Sequence, residues 1–290
     1  MAISPLEVKK LRDMTGAGMA DCKKALDETN GDFEGAIEIL RKRGAATAAK
    51  RADKEAKEGV VSTAISEDHK SAAIVEVCCE TDFVARNQEF SSFVKNLSEY
   101  LLKNPNQSND EMMNGILSDN KTIKNYLDEL LGKFSENISI RRTAVVTSDS
   151  GFITSYIHSG DKLGVLLMLS EKGDIDATNA LGRDLAMQVA AMNPSYTRRE
   201  DVTEEVISKE KEIYSDQARM EGKPEEIAAR VANGRLEKFY AENCLIEQSY
   251  VKDSTKTVTT VLKEFSANAG VEVTVNSFIR FNLSDTIANN

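Results

Sequence analysis

Two histidines, His69 and His158, and four cysteines, Cys22, Cys78, Cys79 and Cys244, are the residues of this 290-residue chain best suited to nucleophilic, acid–base or metal chemistry. Their placement argues against such use. Both histidines lie in turn sequences, Glu67-Asp68-His69-Lys70 and His158-Ser159-Gly160, where histidine is more often a surface turn residue than a catalyst. Cys78 and Cys79 end a strand-like run from Ala72, so their side chains point to opposite faces and cannot readily grip one metal ion. No Cys-x-x-Cys pair occurs, and Cys22 and Cys244 read as small buried apolar residues. No Gly-x-x-x-x-Gly-Lys-Ser/Thr loop is present, and Gly16-Ala17-Gly18 lacks the third glycine and preceding strand of a dinucleotide fingerprint. No nucleotide, metal, cofactor or covalent site is legible, which points to a protein that works by binding.

One segment stands apart: Glu80-Thr81-Asp82-Phe83-Val84-Ala85-Arg86-Asn87. It sets an acid beside an aromatic where the chain must change direction, after a strand and before a helical pattern. Loop residues held by rigid elements are common functional positions. Taken alone, Phe83 reads more readily as a core aromatic facing its own helix than as a contact residue.

The elements around it follow from periodicity. Ser4-Pro5-Leu6-Glu7 carries a capping box and a proline at the first helical position, and Thr15 to Gly18 breaks that helix. Cys22, Ala25, Leu26 and Thr29 trace a second helix, ended by Gly31. Asp32 caps a third, with Phe33, Ala36, Ile37 and Leu40 on one face and Gly44 closing it. Residues 1–44 therefore form a three-helix domain, and 45–58 a linker of good helix formers without an apolar stripe, open to a helical conformation. The linker's basic residues also admit a nucleic-acid arm, but no aromatic is interleaved for base stacking.

From Gly59 the period becomes that of strands: Val61, Thr63 and Ile65, a turn, then Ala73 to Val77. Phe90, Phe93, Val94, Leu97 and Leu101 trace a helix, as do Ile123, Leu127, Leu130 and Phe134. Strands return at Ile138–Val146, Gly151–Ile157 and Leu163–Leu169. Gly59–Ile65 echoes Gly151–Ile157, which suggests a core of two related halves, 59–137 and 138–176. Residues 177–250 read as helices with a hairpin at 203–233, turned at Gly222-Lys223-Pro224, which packs against its own return or another subunit. Residues 251–290 supply a final helix from Thr257 to Ala269 and a strand from Val271 to Phe281. The fold class is α+β with antiparallel sheets and a protruding helical hairpin.

Composition bounds the function. Apolar residues are 41% and charged residues 29%, ordinary for a globular chain. No run reaches the roughly 18 apolar residues of a membrane span, and the start lacks a secretion-signal layout. Four cysteines do not make a disulfide framework, so the expected compartment is a reducing cytoplasm. Residues 1–57 hold 12 Lys and Arg against 10 Asp and Glu, so of the net charge of −10 the remainder carries −12. That acidity disfavours nucleic-acid binding.

Several segments together resemble the bacterial elongation factor Ts family. They are Thr15-Gly16-Ala17-Gly18-Met19-Ala20-Asp21-Cys22-Lys23-Lys24-Ala25-Leu26, Cys79-Glu80-Thr81-Asp82-Phe83-Val84-Ala85, Asn137-Ile138-Ser139-Ile140-Arg141-Arg142, Lys256-Thr257-Val258 and Phe278-Ile279-Arg280-Phe281. The order of parts matches too. The resemblance implies a guanine-nucleotide exchange factor that binds elongation factor Tu with GDP and disturbs its Mg²⁺ and phosphate site. It implies a ubiquitin-associated-like N-terminal domain that docks through Leu11 and Met19. Thr81, Asp82, Phe83 and Val84 would displace Mg²⁺ from the partner, with Phe83 as wedge and Asp82 beside the metal region. His158, Ser159 and Gly160 would form a second contact, and residues 203–233 a coiled-coil dimerisation arm. No cofactor, direct nucleic acid or membrane partner is implied. The family often has a second methionine where Ala20 stands, which trims contact area there. From the residues alone, Leu11 reads equally as core. Two other classes compete: an adaptor for ubiquitin-like or chaperone partners, and a thiol enzyme using Cys78 or Cys79.

Overall fold

The computed structural model describes residues 3–50, 56–118 and 120–286. Helix α1 (Pro5–Thr15) starts with the capping box that the sequence spells: the Glu7 amide donates to Ser4 Oγ at 3.2 Å and the Ser4 amide to Glu7 Oε2 at 2.8 Å. Gly16, at φ 68°, ends it in the left-handed conformation that glycine tolerates. Helices α2 (Met19–Glu28) and α3 (Phe33–Lys50) complete a three-helix unit around Leu11, Cys22, Ala25, Leu26, Ala36 and Leu40.

Helix α3 does not stop at Gly44 as its glycine suggests. It continues to Lys50, so the helix enters the expected 45–58 linker, part of which (51–55) lies outside the described residues. The reason is tertiary. Gly44 is buried against helix α7 (Ile123–Phe134), and a Cβ there would sit 2.2 Å from the Gly132 Cα. The glycine permits two helices to cross closely rather than ending one.

The core contains two three-stranded antiparallel sheets. Strands β1 (Glu58–Ile65) and β2 (Ser71–Cys79) form a hairpin, and β5 (Ser139–Thr147) pairs with β2. Between them come the turn α4 (Asp82–Ala85), helices α5 (Gln88–Lys103), α6 (Asn109–Asn114) and α7, and the short strands β3 (Ile116–Ser118) and β4 (Lys121–Thr122). Strands β6 (Phe152–Ile157) and β7 (Leu163–Leu169) form the second hairpin, and β10 (Val275–Asn282) pairs with β7. Helices α8 (Ile175–Met192), α9 (Glu204–Met220) and α10 (Glu225–Asn243), strands β8 (Ser249–Tyr250) and β9 (Asp253–Thr257), and helix α11 (Val258–Ala269) lie between.

The expected boundary between halves at 137/138 is corrected: β5 pairs with β2, so residues 139–147 belong to the first sheet, and with that shift in each half the third strand joins the second strand of the hairpin. The leading glycines also share a job. A Cβ at Gly59 would meet the Val77 carbonyl at 2.2 Å, and one at Gly151 the Leu169 carbonyl at 2.5 Å. Each lets its strand start close against its neighbour.

Side-chain alternation stacks these parts in four layers. On β2, Ala73, Val75, Val77 and Cys79 face α5 and α7, whereas Ala72, Ile74 and Cys78 face the second sheet. Ile153, Leu166 and Phe281 answer from that sheet, whose other face packs on α8 and α11. A strand buried on both faces reads as one apolar run. Glu76 interrupts it, fully buried. Its carboxylate accepts from Arg141 Nη1 at 2.8 Å and from Arg142 Nε and Nη2 at 2.9 and 2.7 Å. A register shift on β5 lets two consecutive arginines reach one acid. Arg141 also donates to the carbonyls of Ala56 and Leu283, and Arg142 to Asp285, so this cluster ties the chain on either side of the sandwich to its centre.

The predicted hairpin is present as α9 and α10. Ala218, Ala228 and Ala232 are buried between the helices, whose turn has Gly222 at φ 79°. The return helix runs through Asn233 and Gly234 to Asn243, ten residues past the expected end. The last strand starts at Val275 rather than Val271. Among the described residues, no helix is long and apolar enough to cross a membrane.

Candidate functional site

After Cys79 the chain leaves β2, and Thr81 caps the single turn α4, its hydroxyl accepting from the Val84 amide at 3.5 Å. Val84 and Ala85 are buried in the core between α5 and the first sheet. Asn87 then caps α5, accepting from the Glu89 amide at 2.9 Å. Between these anchors Phe83 points outward, 84% exposed. A lone exposed apolar side chain needs no explanation. A rigidly footed one does: the Thr81 amide and hydroxyl donate to the Glu136 carboxylate at 3.1 and 2.7 Å, and the Asn137 amide donates to Glu80 at 2.7 Å. Asp82 is half-buried and lies 3.3 Å from Arg86. Phe83 is thus not the core aromatic facing its own helix that it resembled in isolation.

The second predicted contact, His158-Ser159-Gly160, is exposed in the β6–β7 turn. Gly160 adopts φ 89°, and the His158 amide closes the turn on the Leu163 carbonyl at 2.9 Å. The Tyr156 hydroxyl and His158 Nδ1 are 2.8 Å apart. A mainly apolar groove of about 320 Å³ opens beside it, lined by Tyr156, His158, Leu163, Met187, Ala190 and Val251.

These two tips share one end of the sandwich. Glu58 pairs with Cys79 at the foot of the first tip, and Lys162 beside the second lies 2.6 Å from Glu58. The Val61 amide also donates to the Asp161 carbonyl at 2.6 Å. The expected match between the tips is not topological, however. The β6–β7 turn corresponds to the β1–β2 turn, Ser66–Lys70. The counterpart of Glu80–Phe83 is the connection from Ser170 to Asp174 after β7. The tips share an end because the two sheets pack with their hairpins pointing oppositely.

At the N-terminal domain the expected contacts separate. Met19 is 43% exposed at the start of α2, beside exposed Ala20. Leu11 is 0% exposed, at the centre of the three-helix core, so it has no surface to offer a partner and its expected contact role is corrected to packing. Leu6 and Met14 are exposed on the same helix. They fall off the Val8–Leu11 stripe, a signal that the sequence carried.

The cysteines are all buried and free. Burial pushes the Cys78 and Cys79 thiols up to about 12, so neither supplies the thiolate that a thiol enzyme needs. No cluster of three metal-ligating side chains occurs among the described residues.

A profile of the elongation factor TS family matches residues 80–285. Elongation factor Ts of Clostridium botulinum (strain Alaska E43 / Type E3) is 45% identical over 285 residues, covering 98% of this chain and 94% of its own length. That of Clostridium perfringens (strain SM101 / Type A) is 43% identical with the same coverage. The chain belongs to the elongation factor Ts family. The matched stretch begins at Glu80, the residue that opens the Phe83 tip, and includes the second tip and both sheets' third strands. Two residues of this candidate site, Glu80 as a clamp and Glu136, carried no signal in the sequence. Only the pairing of β2 with β5 brings them together.

Proposed function

We propose that the chain binds elongation factor Tu in its GDP-bound form and promotes GDP release by presenting Phe83 and Asp82 to the partner's phosphate and Mg²⁺ region. The coarser part follows from family membership: a nucleotide exchange factor of translation elongation, not a catalyst of a covalent reaction. The observation that carries the finer reading is the exposed Phe83 ring on a turn whose backbone is held at both feet.

A GTPase holds GDP through backbone donors and a lysine around the phosphates, with Mg²⁺ bridging protein and nucleotide. A flat, stiff ring can open a packed seam in such a protein, and a nearby carboxylate can compete for the metal's ordering. Thr81 and Val84 hold the turn. His158, Ser159 and Gly160 make a second contact from the same end, by position and not by proton transfer. Met19 docks the three-helix domain on the partner's nucleotide-binding domain. Linkage makes the effect reciprocal: if the factor weakens GDP by some ratio, GDP weakens the factor by the same ratio. The exposed Ile213, Met220 and Ile227 of the hairpin support its reading as a self-association arm, which sedimentation across a concentration series checks.

Stopped-flow release of labelled GDP from elongation factor Tu tests the main reading. The intact chain accelerates release, and Phe83→Ala and Asp82→Ala each reduce that acceleration. Equal rates for all three proteins overturn it.

A further inference from the structure

Strands β2 and β5 pair Cys78 with Ser139 and Val77 with Ile140. Continued by two and three steps, the same register sets Glu80 opposite Asn137 and Thr81 opposite Glu136. There the backbone ladder stops and side-chain carboxylates replace it. Glu80 accepts from the Asn137 amide at 2.7 Å, and Glu136 accepts from both the amide and the hydroxyl of Thr81 at 3.1 and 2.7 Å. Ser135, at φ 54° past the end of α7, turns the chain so that the half-buried Glu136 reaches the tip.

The consequence lies in the direction of the Thr81 hydroxyl. Its proton goes to Glu136, so a lone pair faces the Val84 amide that it caps. The order is Val84 N–H to Thr81 Oγ1, then Thr81 O–H to the Glu136 carboxylate, and hydrogen bonds in such a chain reinforce one another. A four-residue helix has no stability of its own, so the turn carrying Phe83 depends on that cap and on the burial of Val84 and Ala85. From this geometry we infer that Glu136 is a positioning residue for nucleotide exchange: it touches neither nucleotide nor metal and acts through the orientation of Phe83. The inference rests on the exchange reading given above.

Two measurements on the full chain test it. Hydrogen exchange of the Thr81 and Val84 amides becomes about tenfold faster in Glu136→Ala, the size expected for a lost helix cap, while β2 and α5 amides are unchanged. GDP release from elongation factor Tu, stimulated by the same variant, slows by about tenfold, and Glu136→Ala adds nothing in a Phe83→Ala background. Glu136→Gln keeps one acceptor and falls between; it carries both comparisons if the alanine variant does not fold. Unchanged Thr81 and Val84 exchange overturns the positioning role, as does an equal loss of stimulation in both backgrounds. If Phe83→Ala alone leaves release unaltered, the exchange reading falls and takes the role of Glu136 in exchange with it. The amide measurement then still reports separately whether Glu136 holds the turn.

Discussion

The two ends of the sandwich carry matching turns and treat them oppositely. At one end, the β1–β2 turn places His69 at φ 58°, stacks its ring on Phe152 at 4.2 Å and sets Nδ1 2.9 Å from the Ile153 carbonyl. Lys70 adds a bond to the Gly151 carbonyl. At the other end, which also carries the footed Phe83, the β6–β7 turn leaves His158 exposed with Tyr156 beside it. The same residue type in the same topological position is mortar in one half and surface in the other. Both turns are tied to the neighbouring half, the second through the Asp161 carbonyl and Lys162, but only the first commits its histidine to that contact, and a turn that leaves its histidine out has a side chain to spare for a partner.

That contrast can be broken in several ways. The largest effect is expected between the ends, at Glu76. Replacing it by Ala leaves Arg141 and Arg142 without their buried counter-charge and lowers unfolding free energy by about 3–5 kcal/mol, read by urea denaturation. A loss too small to resolve would mean that the two sheets are held by apolar packing alone. Phe83→Ala reduces exchange stimulation roughly 30-fold or more, as for a central interface anchor, with an unchanged melting temperature. His69→Ala does the reverse: it costs about 1–3 kcal/mol of stability through the lost stack and the unpaired Ile153 carbonyl and spares exchange measured well below the melting range. If His69→Ala impaired exchange without loss of stability, the division between the ends would be wrong.

Smaller effects sharpen it. His158→Ala reduces exchange stimulation by about five-fold or less, the size of a contact at a rim, and leaves thermal unfolding unchanged. The thiols beneath the Phe83 tip should show no chemistry in the folded chain. Cys78 and Cys79 are pushed up by burial to about 12 from the ordinary 9.0. The unfolded chain loses those protons first, so their contribution to stability is intact below pH 9 and is lost as pH rises through about 12. Iodoacetamide at pH 8 should leave both unmodified until denaturant is added, and labelling of the native protein would reopen a thiol role.

Much of the fold was legible locally. The Ser4–Glu7 capping box, the Phe90–Leu101 stripe and the opposed faces of Cys78 and Cys79 depend on residues a few positions apart, and there the period of helix or strand decides orientation. Gly44 and Leu11 were not legible in the same way. A glycine within a helical pattern means a stop when nothing crosses it and a contact when another helix does, and Gly132 lies 88 positions away. A leucine on a short helix is core or contact according to which face the other two helices cover.

The candidate site divides along the same line. Its residue types, an acid and an aromatic after a threonine cap, were set by the sequence, because a cap and one helical turn need only neighbouring residues. That Phe83 faces solvent, that Glu136 grips Thr81 across 55 residues, and that the His158 turn shares its end of the molecule came only from strand register and the packing of one sheet on the other. Register couples positions far apart in the chain through backbone geometry, and no local pattern of side chains encodes which distant strand will be the neighbour.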